Sequence, residues 1–192
     1  GMITVINPGW LSLIVDCGRH GYADIGVPPS SALDSLSYRV LNVLLGNSQD
    51  TPAIEVMGTD FSVKIDGDVT CAITGAKVTG YLDDTPLQPW TSFRVRKGSI
   101  LRVRELKEGF RYYVGFSGTM DLERAIQSFS TNMECRFGGY KGRPLMKGDV
   151  IHMNQVRTPE EGAISEERIP PMNPPHLLHI IEGPETQYFT ED

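Results

Sequence analysis

The chain is interrupted too often to be anything but mainly β. Short β-branched and apolar runs occupy 3–6, 11–15, 53–56, 60–65, 69–73, 77–82, 92–96, 100–104, 112–116 and 149–153. Between them stand turn residues, beginning with Asn7-Pro8-Gly9, whose proline and glycines preset or permit the dihedrals a turn needs. Asp66-Gly67, between 60–65 and 69–73, predicts a tight hairpin. Lys97-Gly98-Ser99 predicts a second, with Phe93, Val95, Leu101 and Val103 on one face and arginines on the other. Many short strands with one principal helix argue a β-barrel or sandwich, and no fixed-period repeat suggests a solenoid or propeller.

The exception lies between Asp16 and Asn47. Gly18, Gly21 and Gly26 punctuate a loop carrying Arg19, Pro28-Pro29 straighten it, and a helix follows. Ser31 with Asp34 three residues on resembles a capping box with Asp for the usual Glu or Gln. Leu33, Leu36, Val40, Val43 and Leu44 recur at helical spacing, and Gly46-Asn47 supplies the stop. A second, short helix is expected over 120–126, and a glycine-rich loop over 138–143. That loop lacks the context of a Walker or dinucleotide-binding motif. These readings divide the chain into a barrel (1–154), a polar, proline-rich linker (155–176) and a terminal strand (177–192) that looks like the opening of a second domain.

Composition narrows the partners. A chain of 192 residues, 40% hydrophobic and 22% charged with net charge −6, can bury its own core. It has no electrostatic grip on nucleic acid or an anionic membrane. It shows neither a run near the ~20 apolar residues of a membrane span nor a signal-peptide pattern, so a cytoplasmic home is expected. Cys17, Cys71 and Cys135 are odd in number and far apart, which gives no disulfide framework or metal spacing. Cys17 has no visible histidine to activate it as a nucleophile, and a small packing residue is the better reading. His20, His152, His176 and His179 show no metal-ligand spacing either; only His20, in the loop, suits proton transfer.

Residues that could carry chemistry are few. Arg19, Arg111 and Arg143 each stand beside a glycine or an aromatic residue. They suit an anion site for a carboxylate or phosphate, or, in the plainer reading, structural ion pairs with Asp16 or Asp34. Asp16 and Asp34 could act as bases or hold a cation; Asp34 fits a helix cap better. Tyr22 and the pair Tyr112-Tyr113 could stack on a ligand or fill a core.

The same residues resemble a known family. Pro8-Gly9, Asp16-x-Gly18-Arg19-x-Gly21-Tyr22, Gly26-Val27-Pro28-x-Ser30, Asp34, Asn42 and Gly46-Asn47 are similar to the opening of allophanate hydrolase subunit 2-type proteins. That group includes the C-type component of 5-oxoprolinase, the antagonist of the sporulation kinase inhibitor, and the carboxyltransferase part of urea carboxylase. The likeness continues through Glu55, Thr74-Gly75-Ala76, Gly109-x-Arg111-x-Tyr113, Gly118, Ser130-Thr131, Gly138-Gly139-x-x-Gly142-Arg143 and Gly148-Asp149. It implies a cyclophilin-like β-barrel, the first of two in full-length members.

For function, the resemblance implies a subunit of an ATP-dependent amidohydrolase that opens 5-oxoproline to glutamate. A B-type subunit (allophanate hydrolase subunit 1-like) and an A-type subunit would be its partners. Asp16 and Asp34 would be catalytic, and Arg19, Tyr22, Ser30, Arg111, Tyr113 and Arg143 would bind substrate. No cofactor or metal is implied for this chain itself; the complex would use ATP. The alternative is a non-catalytic regulatory protein that engages a B-type partner. A biotin-dependent carboxyltransferase ranks third, since Met146-Lys147-Gly148 lacks the second methionine of a carrier site. The chain departs from the family pattern at Val15, Ser31, Leu33, Thr119 and Gln127, where Gln, Gly, Met, Gly and Gly are usual.

Overall fold

A computed structural model describes residues 1–17, 34–121, 135–136 and 143–159. Its longest strand, β8 (Ser99–Phe116), organises the rest. One edge of β8 pairs first with β4 (Phe61–Asp66) and then with β3 (Ala53–Met57). The other edge runs along β5 (Val69–Leu82). Outside these lie β1 (Met2–Pro8), β2 (Leu11–Cys17), β9 (Thr119–Met120), β10 (Cys135–Arg136) and β11 (Val150–Asn154), in the path β10-β2-β3-β8-β4-β1-β11-β9. The short strands β6 (Thr85–Leu87) and β7 (Ser92–Val95) pair with β5. Every pairing among these described strands is antiparallel.

The sheet curls around a core that includes Ile14, Ile54, Val56, Phe61, Val63, Ile73, Leu101, Val103, Tyr112, Val114 and Phe116. Strand alternation puts the intervening residues of β3 and the second half of β8 outside, and there the described residues place one helix, α1 (Ser35–Leu45). Tyr38, Leu41 and Leu45 pack on Val15, Ala53, Ala72 and Tyr113. The contact is close because the sheet presents Gly115 to the helix: a Cβ there would stand 2.8 Å from both Leu41 and Leu45. Polar sutures complete the seam. Thr74 Oγ1 donates to Ser37 O (2.8 Å), Tyr38 Oη to Thr51 O (2.6 Å) and Ser117 Oγ to Leu45 O (2.8 Å).

Several expectations change. Neither predicted hairpin forms: β4 pairs with β1 and β8, and β7 pairs with β5. The two turns instead meet each other. Gly98 N donates to Ile65 O (2.7 Å), and Lys97 N donates to Asp68 Oδ1 (2.9 Å). Each turn redirects the chain to a different neighbour, so pairing is nested, β4 with β8 outside β5 with β7. The runs 69–73 and 77–82 are one strand, bent where the register shifts after Gly75. Asp34 is itself the N-cap, its Oδ1 accepting from Ser37 N (3.0 Å), so the helix starts later than a Ser31 capping box implies. Met120 belongs to β9, opposite Met153, and does not open a helix. The rest of 120–126 beyond Asp121, the loop 138–142, the linker beyond residue 159 and the strand at 177–192 lie outside the described residues.

Gly75 has φ +104 and a Cβ built there would lie 2.8 Å from Arg111 O and Tyr112 Cα, both backbone. Gly98 has φ +92 with nothing within 4 Å. Gly75→Ala should therefore lower stability by more than about 2 kcal/mol, and Gly98→Ala by only about 1 kcal/mol, in urea unfolding. Equal losses would refute the close β5–β8 approach.

Candidate functional site

Strand β3 is apolar at Ala53, Ile54, Val56 and Met57, yet carries Glu55 in its middle. Residue pairing sets Glu55 against Leu13 of β2 on one side and Tyr113 of β8 on the other. Facing partners share a side of the sheet, so the carboxylate lies on the helix-facing side, 1% exposed. A carboxylate taken from water needs replacement hydrogen bonds or an opposite charge.

Both are supplied, to one oxygen. Tyr113 Oη donates to Glu55 Oε2 at 2.5 Å, and Arg111 Nη1 stands 3.5 Å from the same oxygen. The phenol's own direction is set by Asp34, whose backbone N donates to Tyr113 Oη at 2.8 Å. The helix cap, the phenol, the carboxylate and the guanidinium thus form one connected line. Arg111, with an 11% exposed side chain, also lies over the Phe110 ring, 5.3 Å from its centroid.

The electrostatics follow from burial. Desolvation pushes the Glu55 carboxyl above its ordinary value, against the lowering effects of the Tyr113 hydrogen bond and the Arg111 charge. Burial, reinforced by Glu55, also drives the Tyr113 phenol well above its ordinary value, so it acts as a neutral donor. Glu55 Oε1 is buried and has no hydrogen-bond partner among the described residues.

Of the residues singled out in the sequence, the fold gathers Asp34, Arg111 and Tyr113. Asp34 serves there by its backbone N–H, while its carboxylate caps α1 through Ser37 N and Ser37 Oγ. Among the described residues Tyr113 has no stacked ring; its hydroxyl bridges Asp34 N and Glu55 Oε2. Asp16, near the end of β2 and opposite Arg136, alternates onto the Ser12 and Ile14 side of the sheet, away from Glu55. Arg143 is bound to Asp149 through two contacts, Nη1–Oδ2 at 2.8 Å and Nη2–Oδ1 at 2.9 Å. Asp149 Oδ2 also accepts from Met146 N (2.7 Å), which ties the turn before β11 together. Arg19, Tyr22 and Ser30 lie outside the described residues. Glu55 is not among the site residues that sequence reasoning picks out, although a lone carboxylate inside an apolar run is a readable signal.

Known proteins sharpen the picture. The family model described as "Carboxyltransferase domain, subdomain A and B" matches residues 25–192. The C-type component of the 5-oxoprolinase of Haemophilus influenzae is 32% identical over 189 residues, covering 98% of this chain and 60% of that protein. The urea amidolyase of Saccharomyces cerevisiae is 38% identical over 152 residues, 79% of this chain but 8% of that one. Among solved structures, the urea amidolyase of K. lactis superimposes with a TM-score of 0.72 at 29% identity, over 90% of this chain and 11% of its own. This chain therefore spans about three fifths of the first relative's length and a small part of the others'.

Glu55→Gln isolates the buried carboxyl. A folded-state value above the unfolded one means that the proton favours the native state below the unfolded value, near 4.5. That advantage is lost as pH rises through the folded value. Glu55→Gln has no such loss, so its unfolding midpoint should gain on the parent's as pH rises from about 4 to about 8. A constant or shrinking difference would refute the buried, raised carboxyl.

Proposed function

We propose, since this chain belongs to the carboxyltransferase domain family, subdomain A and B, that it acts as part of a 5-oxoprolinase-like, ATP-dependent amidohydrolase. In that role it works in the cytoplasm with A- and B-type subunits, and the complex opens 5-oxoproline to glutamate. The overall reaction adds water across the lactam C–N bond, with oxygen going to the carbonyl carbon and protons to the departing nitrogen. ATP is consumed by the complex, and no cofactor is assigned to this chain. The described residues contain no helix long and apolar enough to cross a membrane.

The observation that carries this reading is the pair Arg111–Glu55 on the sheet surface beneath the helix N-terminus. A guanidinium next to a carboxylate with one unpartnered oxygen offers a cationic donor and an anionic acceptor side by side. A small cyclic amide bearing a carboxylate presents the complementary pair. The 5-oxoprolinase relative supports the assignment, because its likeness extends over 98% of this chain. Asp34 and Tyr113 hold the geometry, and Arg19, Tyr22 and Ser30 are proposed to contribute from the preceding loop. The barrel, linker and terminal-strand division at 1–154, 155–176 and 177–192 is kept as part of the proposal.

A second reading draws on the higher identity, 38%, to a urea amidolyase. Here the domain would receive a carboxyl group for transfer to urea nitrogen, with carboxybiotin as donor. Urea lacks a carboxylate, so Arg111 would then serve the carboxyl being transferred.

The two readings separate in one assay. ATP hydrolysis by purified A- and B-type subunits should rise on adding this protein, and only with 5-oxoproline present. Arg111→Lys should cut that stimulated rate by about 10- to 100-fold, because a point charge replaces a fork of donors. Stable co-elution with the B-type partner but no stimulation would favour the regulatory alternative. Carboxylation of urea from carboxybiotin would favour the carboxyltransferase.

A further inference from the structure

We propose that Glu55 Oε1 is the acceptor by which this site recognises an amide-type N–H on its ligand, and that Tyr113 and the Asp34 N–H are the positioning groups that keep this oxygen available.

Buried polar atoms in folded proteins nearly always have a partner, and an ionisable one without any is costly. Among the described residues two buried side-chain oxygens have none: Thr70 Oγ1 and Glu55 Oε1. A neutral hydroxyl can be left so at modest cost; a carboxylate oxygen is a much stronger acceptor left unused. The arrangement also prevents Glu55 from correcting the defect by itself. Tyr113 Oη accepts from Asp34 N, so its single proton goes to Oε2. Arg111 approaches that same oxygen. Rotating the carboxylate would exchange one bare oxygen for the other.

The chemistry of the missing partner follows from the neighbours. A cation at Oε1 would lie close to the Arg111 guanidinium and be repelled, which disfavours a metal ion or an ammonium group. An anion would face the carboxylate itself. A neutral N–H or O–H donor remains. The choice of N–H over hydroxyl rests on the reading under Proposed function, because urea and 5-oxoproline, the compounds in the relatives' names, share an N–H next to a carbonyl. The inference does not depend on which of the two is the substrate.

Protonation sets its pH behaviour. Glu55 is faced by Arg111 and Tyr113 from β8, by the Asp34 cap of α1 and by apolar Leu13 from β2. The Tyr113 proton and Arg111 both lie at Oε2, so an added proton goes to Oε1 and turns the acceptor into a donor; affinity should fall as acid protonates Glu55.

The test compares two ligands that differ in one atom. 5-Oxoproline and its lactone analogue, 5-oxotetrahydrofuran-2-carboxylate, are titrated calorimetrically into the full-length protein with whichever partner proteins co-purify, and urea is titrated in parallel. The parent protein should prefer lactam to lactone by about 10- to 100-fold, the size of one hydrogen bond to a charged group. In Glu55→Gln the amide oxygen must take Tyr113's proton, which turns the –NH₂ toward the Oε1 position. Donor then meets donor: lactam affinity should fall by the same factor, with lactone changed less than about 3-fold. Tyr113→Phe, which keeps the carboxylate but frees it to rotate, should narrow the preference without abolishing it. Circular dichroism confirms that each variant is folded.

Binding of urea but not of 5-oxoproline, lost in Glu55→Gln, would uphold the N–H acceptor and remove the 5-oxoprolinase reading. Equal binding of lactam and lactone by the parent, an unchanged ratio in Glu55→Gln, or failure of every N–H probe to bind would overturn the proposal.

Discussion

Strand β8 is paired on both edges over Leu101–Val103 and again over Tyr112–Val114, and that double pairing ties the fold to the site. Its partners on one edge change from β4 to β3, while β5 follows the other. The side chains facing the core change phase as this happens. Leu101 and Val103 point inward in the first part, Tyr112, Val114 and Phe116 in the second. Strand β5 changes phase with β8, from Val69, Cys71 and Ile73 to Ala76 and Val78, across the irregular register between Gly75 and Gly80. Without that phase shift, Arg111, Tyr113 and Gly115 would face the core rather than the helix. The bulged register therefore decides which residues can form a site at all.

Once Tyr113 faces outward, the helix and the buried carboxylate become one problem. Gly115 lets α1 approach closely, and the approach brings the Asp34 N–H within reach of the phenol. The phenol in turn reaches Glu55, which is registered directly opposite on β3. Packing thus places the polar line, and the polar line fixes where the helix begins. Val15 illustrates the balance. The polar side chain usual in the resembling family would have to be solvated at a fully buried position, whereas valine packs against Tyr38 and Leu41.

What could be read in the sequence divides along the range of the interactions. Strand runs, the helix and its Gly46-Asn47 stop depend on local preference and periodicity, and they stand close to where the residues put them. Pairing does not. Asp66-Gly67 and Lys97-Gly98-Ser99 are good turn sequences, but a turn sequence does not say whether the next strand returns or crosses to another neighbour. Here the two turns cross-link to each other, a non-local fact. The same limit holds for the candidate site. Arg111 and Tyr113 stand out by type and spacing, whereas Arg143 does so equally and is held by Asp149. Glu55 is legible only as an oddity in an apolar strand, since its meaning depends on Tyr113, 58 residues away.

That oddity separates a structural ion pair from a site. Arg143 and Asp149 meet both oxygens with both terminal nitrogens and bind the backbone of a turn besides. Glu55 and Arg111 meet at one oxygen only, at a longer distance and at a buried position. If the pair served stability alone, apolar residues at positions 55 and 111 together would do as well, since replacing a buried ion pair as a whole is commonly neutral or favourable, whereas removing one partner strands the other. A chain that retains a half-satisfied carboxylate in its most apolar strand carries a cost that folding does not explain. Recognition does explain it, because the bare oxygen is worth most when a ligand's N–H completes it in a place water has already left.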